Sequence, residues 1–414
     1  MTLHQPPGTT PHGIGLYLHI PFCAQKCPYC DFNTYAGLED RYERYVVALC
    51  REIALRAPAV AGRTVTTVFI GGGTPTVLEP AQLGRILDAA RDHLTIAPDA
   101  EITSEANPGT VDAARFEGLR AIGINRLSMG AQSLQPDELA FLGRIHGVDD
   151  IAKAVAAARA AGFDNINVDF MFGLPGQPVA RWRDTLSGAL DLGTDHLSLY
   201  SLIVEPDTPL HHWVATGAVS APDDDIAAEH YEAAMALLGG AGFQHYEVSN
   251  WARTSDHQSR HNLCYWRNDD YLACGAGAHG HLRTRDTMGS GTGTGIGTGA
   301  STATDVRWGN HRAVDGYIRR VSEGELPTDF EEHLDGPTAM GETMMVGLRL
   351  IDEGVGHARF AALHGVDPRV VYADVLAELV GWGMITVDEE RTRVTGRGLM
   401  VGNRVFERFV ASHG

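Results

Sequence analysis

The stretch Leu16-Tyr17-Leu18-His19-Ile20-Pro21-Phe22-Cys23-Ala24-Gln25-Lys26-Cys27-Pro28-Tyr29-Cys30 decides the fold. It joins a β-like run to three cysteines spaced C-x3-C-x2-C. Such crowding does not suit a disulfide framework, but it wraps thiolates around a small metal centre. Iron–sulfur clusters are ordinarily held by four cysteines, and structural zinc also closes on four ligands. The local sequence supplies three, and the next candidate position, two residues after Cys30, is Phe32. Two readings stand at this point. One is a cubane cluster on Cys23, Cys27 and Cys30 with one iron left open. The other is a zinc site completed by a remote His or Cys.

Working outward, β-like runs at 15–20, 65–70, 100–106, 126–131, 166–172 and 196–204 alternate with helical patterns. The helical stretches cover 39–56, 80–94, 112–122, 136–142 with 149–161, 179–192 and 224–239. Six β/α units in succession predict an α/β protein on a parallel sheet, either curled or doubly wound. A parallel barrel collects its functional groups at the C-terminal ends of its strands. The cysteines follow the first run, and Gly71-Gly72-Gly73-Thr74-Pro75 follows the second. Glu105 and Gln132 end the third and fourth, while Asp169 and Tyr200 lie in the fifth and sixth. All of these fall on one rim, as a barrel requires. The glycine run allows a close backbone approach to a ligand, yet it lacks the Gly-Lys-Ser/Thr ending of a phosphate loop.

The expected organisation is a barrel domain at 1–250, a connecting region at 251–330 and a C-terminal module at 331–414. Within the connecting region, 289–304 (GSGTGTGIGTGASTAT) reads as a flexible surface insertion. The C-terminal module offers helices at 338–350, 358–363 and 368–381, short β-like runs at 385–388 and 393–395, and a last helix at 397–410. Helices followed by a small β-wing predict a winged-helix-like domain.

The chain has 414 residues and a formal charge of −19, which argues against nucleic acid or an anionic membrane surface as the main partner. No apolar run approaches the ~20 residues that span a bilayer. Residues 1–13 lack the basic-then-apolar order of a signal peptide. The other three cysteines, Cys50, Cys264 and Cys274, are scattered, so a reducing, cytoplasmic location is expected.

The segment from Leu16 through the triad resembles the radical S-adenosylmethionine superfamily. Within it, the chain resembles the branch of oxygen-independent coproporphyrinogen III oxidase and its haem-chaperone relatives. The resemblance implies a partial (β/α)6 barrel like a TIM barrel, a 4Fe-4S cluster on the three cysteines, and S-adenosylmethionine on its open iron. It carries cofactor contacts onto Tyr17, Gly72, Gly73, Thr74, Glu105, Gln132, Arg144 and Asp169, with Tyr29 beside the adenine or the cluster. A carboxylate accepts from ribose hydroxyls, and Arg144 forks onto the cofactor carboxylate.

The oxidase branch carries a further cysteine, C-x3-C-x2-C-x-C, and a longer N-terminal extension. Here the extra position is Phe32, and 22 residues precede Cys23. The run Arg260-His261-Asn262-Leu263-Cys264-Tyr265-Trp266 contains H-N-x-x-Y-W, similar to the signature of the haem-chaperone branch. Imidazole is a common haem ligand and Tyr and Trp pack on macrocycle faces, so His261, Tyr265 and Trp266 are the candidate haem residues, with Cys264 as a rival ligand. Asn250 and Trp251 read as a loop, and 274–280 as a glycine-rich turn. The pairs His211/His212 and His279/His281 receive no role without geometry. The expected function is delivery of haem to acceptor haemoproteins, with a homodimer allowed for. Coproporphyrinogen III decarboxylation is the alternative.

Overall fold

β1 (Gly13–Ile20) buries Ile14, Leu16, Leu18 and Ile20 completely, the mark of a strand inside a parallel sheet. In the computed structural model, which describes residues 13–284 and 304–410, five more strands follow it in order across the sheet. They are β2 (Thr64–Gly72), β3 (Thr95–Ala106), β4 (Arg126–Gln132), β5 (Asn165–Phe172) and β6 (His196–Ser201). All five pairings are parallel. The helices between them are α1 (Tyr42–Arg56), α2 (Pro80–His93), α3 (Ala113–Ala121), α4 (Pro136–Phe141), α5 (Val148–Ala160) and α6 (Val179–Asp191). Leu49, Ile86, Phe116, Val155 and Trp182 bring α1, α2, α3, α5 and α6 into one core with the strands. This is the expected partial barrel of six β/α units, and it aims the C-terminal end of every strand at one rim.

The sheet does not stop at six strands. After α7 (Pro209–Ala215) and α8 (Asp224–Gly240), β7 (Gln244–Glu247) and β8 (Asn250–Ala252) extend it antiparallel beyond β6. After α9 (Arg260–Trp266), β9 (Tyr271–Cys274) lies parallel to β1 on the opposite flank. β10 (His279–Thr284), β11 (Thr304–Asn310) and β12 (Thr328–Leu334) continue antiparallel from it. The expected connecting region 251–330 thus carries β9, β10, β11 and the start of β12, all strands of the main sheet, together with α9 and α10 (Val314–Ser322). Leu272, Cys274, Leu282 and Trp308 share the barrel's own core. Asn250 and Trp251 lie in a strand rather than a loop, and the Trp251 indole stacks on His245 at 3.9 Å. The expected insertion 289–304 lies, but for its last residue, outside the described residues.

One buried carboxylate fastens this flank to the barrel. Glu52 on α1 is fully buried and accepts from Arg56 Nε (2.7 Å), Asn310 Nδ2 (2.7 Å), Tyr317 Oη (2.8 Å) and the Gly275 backbone N–H (2.7 Å). It thus joins α1, the end of β11, α10 (Val314–Ser322) and the loop after β9.

From α11 (Gly336–Gly347) onward a second core forms on Met344, Leu348, Phe360, Leu376, Leu379, Ile385 and Phe406. It is built from α12 (His357–His364), α13 (Pro368–Val371), α14 (Ala373–Gly381) and a three-stranded sheet. That sheet runs β13 (Val355–Gly356), β15 (Arg391–Val394), β14 (Ile385–Val387), one strand more than expected. The expected last helix, 397–410, is broken at Val401 into α15 (Gly396–Met400) and α16 (Gly402–Phe406). No helix among the described residues is long and apolar enough to cross a membrane.

Removing one partner from a buried ion pair leaves a charge without compensation. Glu52→Ala is expected to lower the unfolding free energy by about 3–5 kcal/mol in urea denaturation. A loss within the error of the measurement contradicts the fastening role.

Candidate functional site

The cysteine loop leaves β1 and is tied down at both ends. The Cys23 N–H donates to Tyr35 O (2.9 Å), Gln25 Nε2 to Gly143 O (3.1 Å) and Lys26 Nζ to Phe32 O (3.2 Å). Cys23, Cys27 and Cys30 are free thiols and partly exposed. Two donors point at their sulfurs: Arg144 Nη1 lies 3.3 Å from Cys27 Sγ and Thr74 Oγ1 3.7 Å from Cys23 Sγ. Burial raises the Cys23 thiol, and the Thr74 hydroxyl opposes that rise.

The glycine run is forced by crowding. Gly72 has φ +109°, and a Cβ there would sit 2.3 Å from the His19 ring. A Cβ on Gly73 would meet Phe22 O at 2.5 Å. The Gly73 and Thr74 N–H groups donate to Ile20 O (2.8 Å) and Phe22 O (2.7 Å), stitching this loop to the segment that leads into Cys23. The Gly72 N–H turns the other way and donates to Glu105 Oε2 (2.8 Å).

Two acids stand half-buried along the same rim. Burial pushes the Glu105 carboxyl up to about 8, with the Gly72 N–H opposing and nearby Asp169 adding to the rise. Burial raises Asp169 as well, against hydrogen bonds that include Asn167 Nδ2 at 2.6 Å. Tyr17 is raised by burial and then by Glu105. Its hydroxyl lies 2.9 Å from His19 Nδ1, while His19 Nε2 donates to Asn33 O (3.0 Å). Burial lowers His19 to about 4, so this ring is neutral.

Gln132 and Arg144 converge over Gly130. A Cβ on that glycine would lie 2.8 Å from Gln132 Nε2 and 3.4 Å from Arg144 Nη2. Gln132 holds φ 73°, uncommon outside glycine and typical of functional sites. Arg144 Nη2 donates to Gly130 O (2.7 Å), but its buried Nε has no partner among the described residues. A buried guanidinium N–H left open beside a thiol fits an absent anionic ligand.

The residues present therefore fit a cluster that carries an amino-acid-like cofactor. Among the described residues, no three His, Cys, Asp or Glu side chains converge on a single ion. Of the eight expected cofactor residues, Gly72, Gly73, Thr74, Glu105 and Gln132 stand at or just past the ends of β2, β3 and β4, Arg144 follows α4, and Tyr17 and Asp169 lie within β1 and β5. Tyr29 packs with Leu142, Met171 and Leu210 beneath it.

A cavity of about 580 Å³ opens from the rim toward β9–β11. Tyr17, Gly72 and Glu105 line it together with Phe32, Tyr265 and Trp266. Phe32 is thus a wall of the cavity, 65% exposed, where a fourth thiol was weighed. The placement of His261 as a haem residue is corrected. It is fully buried on α9, with Nδ1 2.8 Å from Thr67 Oγ1 and Nε2 2.9 Å from the Tyr265 hydroxyl. Burial lowers it to about 3. Both nitrogens are taken, so the ring orients Tyr265 rather than facing a ligand. His19, Phe69, Tyr271 and Arg307 also line the cavity, and of these Phe69, Tyr271 and Arg307 carry no signal of their own in sequence. For His19 a signal existed: it alternates with Tyr17 on β1 and so shares its face.

Fold and site together define a radical S-adenosylmethionine protein. Residues 17–187 match the family described as the Radical SAM superfamily, and residues 334–401 match the HemN C-terminal domain. The chain is 42% identical to the Escherichia coli heme chaperone HemW, over 96% of this chain and 98% of that one. It is 36% identical to the Mycobacterium tuberculosis heme chaperone HemW, over 96% of each. The chain belongs to the heme chaperone HemW family. A solved structure of Escherichia coli coproporphyrinogen III oxidase (HemN) covers 96% of this chain and 90% of that one, with a TM-score of 0.79. At 24% identity this likeness establishes the shared fold alone.

Glu105 yields a pH test. Its carboxyl is raised from 4.5 to about 8, so the folded state holds a proton that the unfolded state releases. Its contribution is fully present below pH 4.5 and is lost as pH rises through about 8. Glu105→Gln is expected to remove on the order of a few kcal/mol of that fall, measured as urea stability of the metal-free protein against pH. Parallel pH profiles for the two proteins would contradict the assignment.

Proposed function

We propose that the chain is a haem chaperone that binds haem beside a 4Fe-4S cluster and S-adenosylmethionine and passes the haem to acceptor haemoproteins. The observation that carries this reading is the match, over nearly the full length of both chains, to proteins named heme chaperone. The cavity supports it, because one continuous space adjoins both the cofactor rim and the aromatic pair Tyr265 and Trp266.

In this reading Cys23, Cys27 and Cys30 hold the cluster. A cluster on three thiolates leaves one iron for the amino and carboxylate groups of S-adenosylmethionine, and it supplies one-electron chemistry to the sulfonium. The chain's own residues do the rest. Arg144 offers its open Nε–H to the cofactor carboxylate while holding Cys27. Gly72, Gly73 and Thr74 keep the backbone close enough for the amino group. Glu105 and Asp169 accept from hydroxyl groups. Gln132 and Tyr17 complete the wall, with the Tyr17 hydroxyl fixed by neutral His19. The acidic chain is proposed to work in the cytoplasm, without nucleic acid, and possible self-association into a homodimer belongs to the same proposal. The second core from α11 onward is proposed as a distinct winged-helix-like module.

Two expectations follow. Cys27→Ala should lose the iron–sulfur absorption and S-adenosylmethionine binding together, read by visible spectroscopy and equilibrium dialysis on anaerobically reconstituted protein. Retention of both contradicts the ligand set. The same wild-type preparation should bind haemin in an optical titration and leave coproporphyrinogen III unconverted. Turnover to protoporphyrinogen IX overturns the chaperone reading in favour of the oxidase.

A further inference from the structure

Haem makes three demands on a site: a donor for its iron, a flat apolar wall for its macrocycle, and cations for its two carboxylates. The cavity meets the second with Phe32, Tyr265, Trp266 and Tyr271. The question is which atom takes the iron, now that His261 faces away.

Four imidazoles stand in or against the cavity, and three are spent. His19 bonds through both nitrogens, to Tyr17 Oη and Asn33 O. His261 is likewise bonded twice and fully buried. His281 is 2% exposed and donates to Asp305 Oδ1 (2.5 Å). His279 differs. It opens β10, lines the cavity and is exposed, and its ring has no hydrogen bond among the described residues. Its one ring contact is edge-on with Phe330, at 5.3 Å between centroids. Partial burial, then Arg312 and Arg307, lower its pKa, so the imidazole is the neutral form that donates to a metal. The rival thiol, Cys264, is pushed up to about 12 by burial and donates to Arg260 O (3.4 Å).

The surroundings of His279 suit the carboxylates as well. Arg307 lines the cavity while pairing with Glu342, and the Arg312 guanidinium acts on the same imidazole. The loop before His279 is held against the cysteine loop. Asn33 Nδ2 donates to Ala276 O (2.9 Å) and to Arg312 O (3.0 Å). Gly277, at φ +74°, leaves room for that amide, since a Cβ would lie 2.5 Å from Asn33 Nδ2.

We propose that His279 is the axial ligand to the iron of a haem held in this cavity, with the haem carboxylates turned toward Arg307 and Arg312. The inference rests on the haem-chaperone reading, and the test separates the two. Ferric haemin is titrated into cluster-loaded wild type and His279→Ala, followed by optical and EPR spectra. The wild type is expected to show a nitrogen-ligated spectrum. His279→Ala is expected to bind at least tenfold more weakly with a shifted Soret band, and added imidazole should restore the wild-type spectrum. Retained iron–sulfur absorption in the variant reports an intact fold. Should that variant not fold, His279→Cys gives the second reading, and a thiolate-type haem spectrum is expected from it. Wild-type binding with an unchanged spectrum in the variants overturns the ligand assignment and leaves the haem reading standing. No haem binding by the wild type overturns both.

Discussion

The site depends on how closely the Gly72 backbone approaches the His19 side chain. The Gly72 α-carbon rests against the His19 ring of β1, and its N–H donates to the Glu105 carboxyl at the end of β3. Three strands are registered at that point. The next two N–H groups reach Ile20 O and Phe22 O, which sets the direction in which the chain enters the cysteine loop. A side chain at 72 would have to displace the imidazole that fixes Tyr17, and with it the wall of the cavity. The thiols, the acids and the aromatic wall are thus positioned through one contact with no room for a Cβ.

Electrostatics on the rim have a consistent logic. Buried acids without a cationic partner raise their pKa and stay neutral until a ligand arrives. Glu105 behaves in this way, whereas Arg144 keeps a buried donor open beside Cys27. Such groups destabilise the ligand-free protein and are recovered when a zwitterionic, hydroxyl-bearing ligand binds. The exposed aromatic face of Phe32 then continues this polar rim into an apolar cavity, rather than adding a fourth thiol to the metal centre.

Much of this was legible in the sequence, for physical reasons that also explain what was not. β1, β2 and β5 announce themselves because strands buried on both faces are rich in Val, Ile, Leu and Phe. The cysteines and the glycine run carry local spacing, which survives without a structure. β7–β9 are three or four residues long, too short for a periodicity. β12 (TDFEEHL) is an exposed, acidic edge strand whose composition reads as a loop. For His261, sequence shows a histidine beside aromatics, not which way its nitrogens point. Only the packing of α9 on β2 places Thr67 and Tyr265 on that ring. His279 is the converse case, an imidazole left open by the geometry of a turn.

The cofactor rim and the proposed haem cavity form one continuous space. Five strand spacings separate β3 from β11, on the order of 24 Å along a flat sheet and less along a curled one. The most direct measurement is the electron spin relaxation of the reduced cluster before and after loading with ferric haem. The account predicts markedly faster cluster relaxation, because the two paramagnets share the cavity. Haem binding that leaves the cluster's relaxation unchanged would place the haem elsewhere and contradict the account.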